Sequence, residues 1–178
     1  MALTKSIKNR LQKIRLLCTD VDGVLTDAGM YYGEDGIEQK KFCTRDGMGL
    51  TLLRYAGLVT AIVTSEETEI VRLRAKKLKI HNLYQGVRNK LKTVEKIKTR
   101  YSLEWDEIAY IGDDVNDLEV MASAGFAATP ADGSRWNKRL AHYVTERNGG
   151  EGCVREICDM ILEAQHLDKD IFRLYKNQ

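Results

Sequence analysis

The sequence lacks the features that mark membrane proteins and nucleic-acid-binding proteins. No apolar run reaches the ~18 residues that a membrane span needs. The charged, amphipathic stretch from Met1 to Ile14 lacks the long apolar core of a signal peptide. The net charge is only +2, so the overall charge gives no support to a nucleic-acid partner. We therefore expect a cytoplasmic protein with no membrane or nucleic-acid partner, whose first residues form a short helix.

Cysteine and histidine patterns typical of metal or redox centres are also absent. None of the four cysteines belongs to a C-x-x-C pair, and the three histidines share no spacing typical of a metal site. We expect free, mostly buried thiols in a reducing compartment. The composition is otherwise that of an ordinary globular protein, with 43% hydrophobic and 30% charged residues in a chain of 178. This length predicts a single domain over 1–178.

The most informative segment runs from Leu16 to Val24, where an apolar run is followed by Asp20, Asp22 and Gly23. In a parallel α/β sheet, ligands collect in the crevice beyond the carboxyl ends of the strands. Two carboxylates at such an end suit a divalent cation and a nucleophile. An Asp-x-Asp pair is common by itself, so its interpretation depends on the motifs that accompany it in the rest of the chain.

Three further features lie beyond this pair in the sequence. They are a strand ending in Thr64 and Ser65, then Lys90 opening a helical stretch, then a strand ending in Gly112 and the acidic residues Asp113, Asp114 and Asp117. Each feature has an ordinary explanation, because threonine and aspartate often cap helices and a lone lysine is usually solvated. The order of all four features is much harder to obtain by chance.

That order resembles the haloacid dehalogenase superfamily of phosphotransferases, over about residues 14–165. Closer detail is similar to one branch, the small phosphatases of 2-keto-3-deoxy sugar acids. The segments that carry this closer resemblance are 20–29, 44–49, 84–86, 149–152 and the pair Arg155-Glu156. The resemblance implies a phosphatase that uses Mg²⁺, acts on a small sugar acid phosphate and forms homotetramers whose hairpins pack together.

Alternating strands and helices predict a Rossmann-like α/β fold, with a parallel sheet and helices on both faces. We predict strands at 14–19, 59–63, 108–111, 126–128 and 142–144, and helices at 46–55, 67–78, 89–100, 116–122, 136–140 and 154–165. A protruding β-hairpin, with strands at 30–32 and 38–42, is predicted at about 28–42, and a C-terminal helix and tail at about 153–178.

A cap domain over the active site is not expected. The chain between Asp22 and Thr64, and between Thr64 and Lys90, is too short for a folded cap, because domains rarely fall below ~50 residues. Phosphoryl transfer benefits from exclusion of water. We therefore expect neighbouring subunits to close the site, in agreement with the tetramer that the resemblance implies.

The resemblance also implies a role for each residue of the site. Asp20 would be the nucleophile that forms an aspartyl phosphate, and Asp22 the general acid and then the base that activates water. Thr64 and the N–H of Ser65 would bind phosphoryl oxygens at the mouth of a helix, while Lys90 would neutralise shared charge. The implied Mg²⁺ ligands are Asp20, the backbone carbonyl of Asp22, Asp113 and a second acid, either Asp114 or Asp117.

Substrate-selecting residues indicate two possible sugar acids. The carboxylate of a keto acid needs a second cationic group, and the candidates are Arg45, Arg72, Arg74, Lys77 and Arg155. Most such residues on a helix only pair with neighbouring acids. Glu66 with Arg74 and Lys77 resembles the nonulosonate 9-phosphate type, whereas segment 44–49 resembles the 3-deoxy-D-manno-octulosonate 8-phosphate type. We slightly favour the nonulosonate 9-phosphate as the substrate and keep the octulosonate 8-phosphate as the other candidate.

A geometric constraint accompanies this expectation. Glu66 and Lys77 lie eleven residues apart, which is about 16 Å along one helix. One sugar phosphate can hardly touch both residues within a subunit, so one of them would act on a neighbouring subunit's site.

Two other classes of protein share some of these residues. A two-component receiver domain carries its acidic pair on an early strand and its phospho-acceptor on a later one, the reverse of the order found here. A weakly active or non-catalytic oligomerisation domain, related to those fused to acylneuraminate cytidylyltransferases, is the stronger alternative. Its usual sign is the loss of Asp20, Asp22 or Lys90, and all three are present.

Overall fold

A six-stranded parallel sheet forms the centre of the fold. The computed structural model describes residues 4–176, so both ends of the predicted domain lie outside the described residues. The strands of the described residues are β1 (Leu16–Thr19), β2 (Tyr31–Tyr32), β3 (Glu38–Gln39), β4 (Val59–Val63), β5 (Asn82–Tyr84), β6 (Ile108–Ile111), β7 (Phe126–Thr129) and β8 (Tyr143–Val144). Strands β2 and β3 form a separate antiparallel pair, and the other strands form the main sheet. The sheet has the order β5-β4-β1-β6-β7-β8, and each neighbouring pair in it is parallel. The predicted Rossmann-like α/β sheet is confirmed.

Helices cover both faces of this sheet, as predicted. They are α1 (Lys5–Leu11), α2 (Thr44–Tyr55), α3 (Glu69–Lys77), α4 (Lys90–Arg100), α5 (Leu118–Ser123), α6 (Arg135–Leu140), α7 (Cys153–Ala164) and α8 (Ile171–Lys176). Leu17 of β1 belongs to a core with residues of α2 and α7, whereas Leu16 and Cys18 belong to a second core with residues of α4 and α5. The alternation follows the period of two in a strand, and burial on both faces explains why β1 is apolar.

Several predicted boundaries were wrong by a few residues, for local reasons. Strand β1 begins at Leu16 rather than at 14, because the N–H of Ile14 still donates to the last residue of α1. Helix α3 begins at Glu69 rather than at 67, because the hydroxyl of Thr68 accepts a hydrogen bond from the N–H of Val71 and caps the helix.

Two other helical segments differ from their predicted ranges. The segment predicted as one helix at 116–122 divides into a 3₁₀ turn, Val115–Asp117, followed by α5. Reciprocal hydrogen bonds between Asp114 and Asp117 form a capping box that fixes this turn. Helix α8 was not predicted as an element separate from the C-terminal tail.

The predicted hairpin is present, with strands β2 and β3 of two residues each. Its turn is closed by a 2.9 Å hydrogen bond from the N–H of Gly33 to the carbonyl of Ile37. Gly36 in this turn has a φ of 76°, a left-handed conformation that glycine adopts at little cost. An isolated bridge between Thr26 and Phe42 closes the base of the hairpin. The hairpin therefore forms a two-stranded sheet separate from the main one.

The chain segments that join β1 to β4 and β4 to β6 are short within residues 4–176. Between β1 and β4 it holds the hairpin and α2, and between β4 and β6 it holds α3, β5, α4 and one 3₁₀ turn. Neither of these described segments forms a folded cap domain. Over the same range, no helix combines the length and the apolar composition that crossing a bilayer requires.

Candidate active site

The carboxyl ends of β4, β1 and β6 lie side by side in the sheet, and each is followed by polar residues. A cavity of about 320 Å³ opens at this edge. Its lining consists of Asp20, Asp22, Ala28, Thr64, Ser65, Glu66, Asp113, Asp114, Val115 and Asn116. The position is the one where parallel α/β sheets generally bind ligands.

Lys90 joins two carboxylates beneath this cavity. Its Nζ lies 2.7 Å from Oδ2 of Asp20 and 2.7 Å from Oδ1 of Asp117, and its side chain is 2% exposed. Burial disfavours the ammonium group, but the charges and hydrogen bonds of the two carboxylates outweigh burial and raise the pKa of Lys90. The lysine is therefore a buried cation fixed between two acids, rather than a solvated helix residue.

Asp117 is fully buried and its hydrogen-bonding capacity is largely used. Its Oδ1 accepts from Lys90 and, at 2.7 Å, from the hydroxyl of Tyr110. Its Oδ2 accepts from the backbone N–H of Asp113 at 3.1 Å and of Asp114 at 3.4 Å. Asp114, by contrast, is exposed and caps the following 3₁₀ turn. Asp117 thus holds the acidic loop and Lys90 in place.

The negative charge of the carboxylates that Lys90 does not neutralise suits a divalent cation. Carboxylate oxygens of Asp20, Asp113 and Asp117 all lie within 4.8 Å of one another. Burial, then the charges of Asp20, Asp117 and Asp114, raise the pKa of Asp113 to about 7. Burial and the charge of Asp117, opposed by Lys90, raise the pKa of Asp20 to about 7. An all-oxygen set with excess negative charge is the donor set that Mg²⁺ prefers.

A glycine brings the backbone close to this acidic group. Gly23 has a φ of 77°, and a side chain on it would overlap the carboxylate of Asp113. The segment after the Asp-x-Asp pair can therefore turn tightly against the acidic loop after β6 only because it carries no Cβ there.

Asp22 is held by a lysine that the sequence analysis missed. Its Oδ1 accepts from Nζ of Lys40 at 2.6 Å and from the hydroxyl of Thr26 at 3.4 Å. Its Oδ2 is buried and has no hydrogen-bond partner among the described residues. Burial disfavours the charged form of Lys40, but hydrogen bonds and charges from Asp22 and Glu38 raise its pKa. The spacing of two residues could have placed Lys40 on the same side of the hairpin as Glu38, but no sequence pattern linked it to Asp22.

The loop expected to bind phosphate lies at the cavity. The expectation that it stands at the mouth of a helix was wrong. Thr64 is buried, and its N–H donates to the carbonyl of Tyr84 at 3.0 Å. Ser65 is exposed, and its hydroxyl accepts from the amide of Asn116 at 3.3 Å. Helix α3 begins only at Glu69, because Thr68 provides its cap. The loop therefore offers its own hydroxyl and N–H groups rather than a helix dipole.

Of the residues predicted to select the substrate, Glu66 lines the cavity, and the five cationic candidates do not. Arg72 pairs instead with Glu67 and Glu69, which are exposed at the start of α3. Arg74 donates to the carbonyl of Cys43 at 3.0 Å, and its guanidinium lies 5.5 Å from the ring centre of Phe42. Arg45 lines a separate cavity, of about 420 Å³, together with Arg155. Lys77 is exposed at the end of α3. Within one subunit these cations are not brought to the acidic cavity.

The predicted helical separation of Glu66 and Lys77 was also wrong. Glu66 lies in the loop before α3, so the rise along a helix does not set its distance from Lys77.

Comparisons with known proteins find similarity over most of the chain. A model of the haloacid dehalogenase-like hydrolase family matches residues 58–157. A 3-deoxy-D-manno-octulosonate 8-phosphate phosphatase from Yersinia pestis is 42% identical over 156 residues, which cover 88% of this chain and 83% of the relative.

Solved structures show the same similarity. The crystal structure of that phosphatase from Yersinia pestis has a TM-score of 0.92 and 39% identity, covering 94% of this chain and 90% of that one. The Moraxella catarrhalis phosphatase of the same name, in complex with magnesium ion, phosphate ion and KDO, has a TM-score of 0.92 and 35% identity, covering 96% of this chain and 99% of that one.

Proposed function

The chain belongs to the haloacid dehalogenase-like hydrolase family and is a phosphatase, and from this premise we propose that it hydrolyses the phosphate monoester of a 2-keto-3-deoxy sugar acid with Mg²⁺. One observation carries the proposal. Asp20, Asp22, Thr64 and Asp113 converge on one cavity, with Lys90 buried against Asp20 beneath it. A non-catalytic oligomerisation domain has no need of this arrangement.

The first chemical step is attack by Asp20. A carboxylate oxygen of Asp20 forms a bond to phosphorus while the bond from phosphorus to the sugar oxygen breaks. Asp22 donates its proton to the departing sugar oxygen, which leaves as an alcohol. The product of this step is an aspartyl phosphate on Asp20, with Asp22 as a carboxylate.

The second step reverses the role of Asp22. The Asp22 carboxylate takes a proton from a water molecule, and the resulting hydroxide oxygen forms a bond to phosphorus. The bond between phosphorus and the Asp20 oxygen breaks. Inorganic phosphate leaves, and both carboxyl groups return to their starting protonation states.

Charge neutralisation supports both steps. Lys90 offsets the negative charge shared by Asp20 and the phosphoryl group, and Thr64 and the N–H of Ser65 bind phosphoryl oxygens. The residues that would hold Mg²⁺ are Asp20, Asp113 and the backbone carbonyl of Asp22, with Asp117 as the buried acid behind them. When bound, the cation offsets the negative charge of the phosphate and the carboxylates.

Mg²⁺ binding should be measurable without substrate. A ligand that binds only the folded state stabilises it by about 2.7 kcal/mol at a hundredfold excess over its dissociation constant. We expect Mg²⁺ to raise the melting temperature of the wild type, and Asp113→Asn to lose most of that increase. The exposed neighbour provides a matched control, because Asp114→Asn should retain the increase. An unchanged response in Asp113→Asn would remove Asp113 from the proposed ligands.

For the substrate we propose 3-deoxy-D-manno-octulosonate 8-phosphate, because the named relatives are phosphatases of that compound. A nonulosonate 9-phosphate is the second candidate. It is favoured by Glu66, which is exposed beside Ser65 at the cavity and can accept hydrogen bonds from the additional polar groups of a nine-carbon acid.

A substrate panel tests the proposed function and separates the two candidates. Phosphate release should be fastest with one of these two compounds. If the nonulosonate is the better substrate, Glu66→Arg should lower its kcat/KM by about ten- to a hundredfold more than that of the octulosonate, because charged hydrogen bonds contribute about 1.5–3 kcal/mol. Glu67→Arg is the matched control, since Glu67 is exposed and does not line the cavity. Absence of hydrolysis across the panel refutes the proposed substrate class.

We further propose a cytoplasmic, single-domain protein that assembles as a homotetramer. The hairpin carries four exposed apolar residues, namely Met30, Tyr31, Tyr32 and Ile37, and such a cluster is typical of an interaction surface. Packing of hairpins from several subunits would also cover the open cavity. All four cysteines are free thiols, which fits a reducing compartment. Sedimentation at assay concentration tests the assembly, and a fully active monomer would refute it.

A further inference from the structure

We propose that Lys40 is a positioning residue for the reaction, and that it holds the carboxyl group of Asp22 in the orientation that serves proton transfer to the leaving sugar oxygen. The proposal rests on the proposed function, since it needs Asp22 as the general acid. Lys40 lies on the hairpin, outside the four sequence features that define the site, and it does not line the cavity.

The contact between the two residues is close and shielded. The side chain of Lys40 is 1% exposed, whereas that of Asp22 is 29% exposed. Nζ of Lys40 lies 2.6 Å from Oδ1 of Asp22 and 3.2 Å from Oε1 of Glu38. A buried ammonium group placed in this way donates hydrogen bonds to two carboxyl groups, one of which is the proposed general acid. Glu38 thus provides a second contact that helps to fix the lysine.

The backbone around this group fixes the lysine's position. Lys40 comes two residues before Phe42, which pairs with Thr26 at the base of the hairpin. The hydroxyl of Thr26 also lies 3.4 Å from Oδ1 of Asp22. The same short stretch of paired backbone therefore supports both groups that contact Oδ1. Because Oδ1 accepts from both donors, Oδ2, which has no partner among the described residues, is the oxygen that can carry the proton donated to the sugar.

Loss of the ammonium group would leave the Asp22 carboxyl without its closest hydrogen-bond donor. A displacement of about 1 Å in a catalytic group can reduce the rate by about a hundredfold. The loss should depend on the leaving group. A sugar alkoxide is strongly basic and needs a proton as it departs, whereas p-nitrophenolate departs readily without one. A purely structural role for Lys40 would affect both kinds of substrate equally.

The test compares kcat/KM on the sugar acid phosphate and on p-nitrophenyl phosphate, because kcat/KM reports the steps through departure of the leaving group. Lys40→Met should lose about ten- to a hundredfold on the sugar acid phosphate and less than about threefold on p-nitrophenyl phosphate. Lys41→Met is the matched control: Lys41 is adjacent in sequence, 56% exposed and paired with Asp27, and should leave both values unchanged. If Lys40→Met does not fold, Lys40→Gln, which keeps one donor, gives the same comparison with a smaller loss.

Equal losses on both substrates, or no loss on either, would overturn the proposal. The variant Asp22→Asn distinguishes this failure from failure of the proposed function. If Asp22→Asn also affects both substrates equally, Asp22 is not the general acid and the proposed mechanism is wrong. If Asp22→Asn is selective and the Lys40 variants are not, the mechanism stands and only the role of Lys40 is refuted.

Discussion

Replacing Asp20 with asparagine should lower turnover by about four orders of magnitude or more, the scale seen when a catalytic nucleophile is removed. The Asp20 carboxylate accepts hydrogen bonds from the N–H of Val21 and from Lys90, both at 2.7 Å. The amide has nearly the same shape, and its oxygen can still accept one of these two hydrogen bonds. The amide oxygen does not displace the sugar alkoxide, so the chemical step fails while the fold remains.

Two measurements check this result. Steady-state phosphate release gives the loss of turnover, and mass spectrometry of rapidly quenched enzyme should detect one added phosphoryl group on the wild type and none on Asp20→Asn. Asp106→Asn serves as the control, because Asp106 is exposed and pairs with Lys13, before the start of β6. Turnover of Asp20→Asn within tenfold of the wild type would exclude Asp20 as the nucleophile.

Replacing Lys90 with methionine should both inactivate the enzyme and lower its free energy of unfolding by about 3–5 kcal/mol. The methionine has a similar length but leaves Asp20 and Asp117, which are buried, without their shared cation. Breaking a buried ion pair by removing one partner is costly, because the remaining charge has lost its water and gains no compensation.

The pH dependence of this loss has a definite sign. Burial and mutual repulsion already raise the pKa of Asp20 to about 7, and removal of the ammonium group should raise it further. A carboxyl group whose pKa is higher in the folded state than in the unfolded state favours folding at low pH. The deficit of Lys90→Met should therefore be smaller at pH 5 than at pH 8.

Urea unfolding at both pH values measures the deficit. Lys96→Met is the matched control, because Lys96 is exposed on the same helix and its loss should change stability by less than about 0.5 kcal/mol. The double variant Lys90→Met with Asp117→Asn should recover part of the lost stability, since it removes one of the two uncompensated charges. A deficit below 1 kcal/mol at pH 8 would contradict a buried ion pair that stabilises the fold.

The sequence by itself determined the fold class and the order of the site features. The predicted strands 59–63 and 108–111 match β4 and β6 at both ends, because strands buried on both faces of a sheet form mostly apolar runs. The hairpin turn was predictable for a similar reason, since a glycine in a left-handed conformation shapes the chain within a few residues. Such properties depend only on near neighbours in the sequence.

Only the tertiary structure decided which side chains meet. In the chain, β4 and β5 of the main sheet separate Lys90 from Asp20, and β6 separates it from Asp117, yet Lys90 contacts both carboxylates. Arg74, one of the predicted substrate-binding residues, donates a hydrogen bond to the carbonyl of Cys43, while Lys40, which was not considered, donates one to Asp22. The physical reason is that the role of a charged residue depends on which partner lies within hydrogen-bond distance. That partner often comes from a distant segment of the chain, and local sequence patterns do not show which segments are neighbours in the fold.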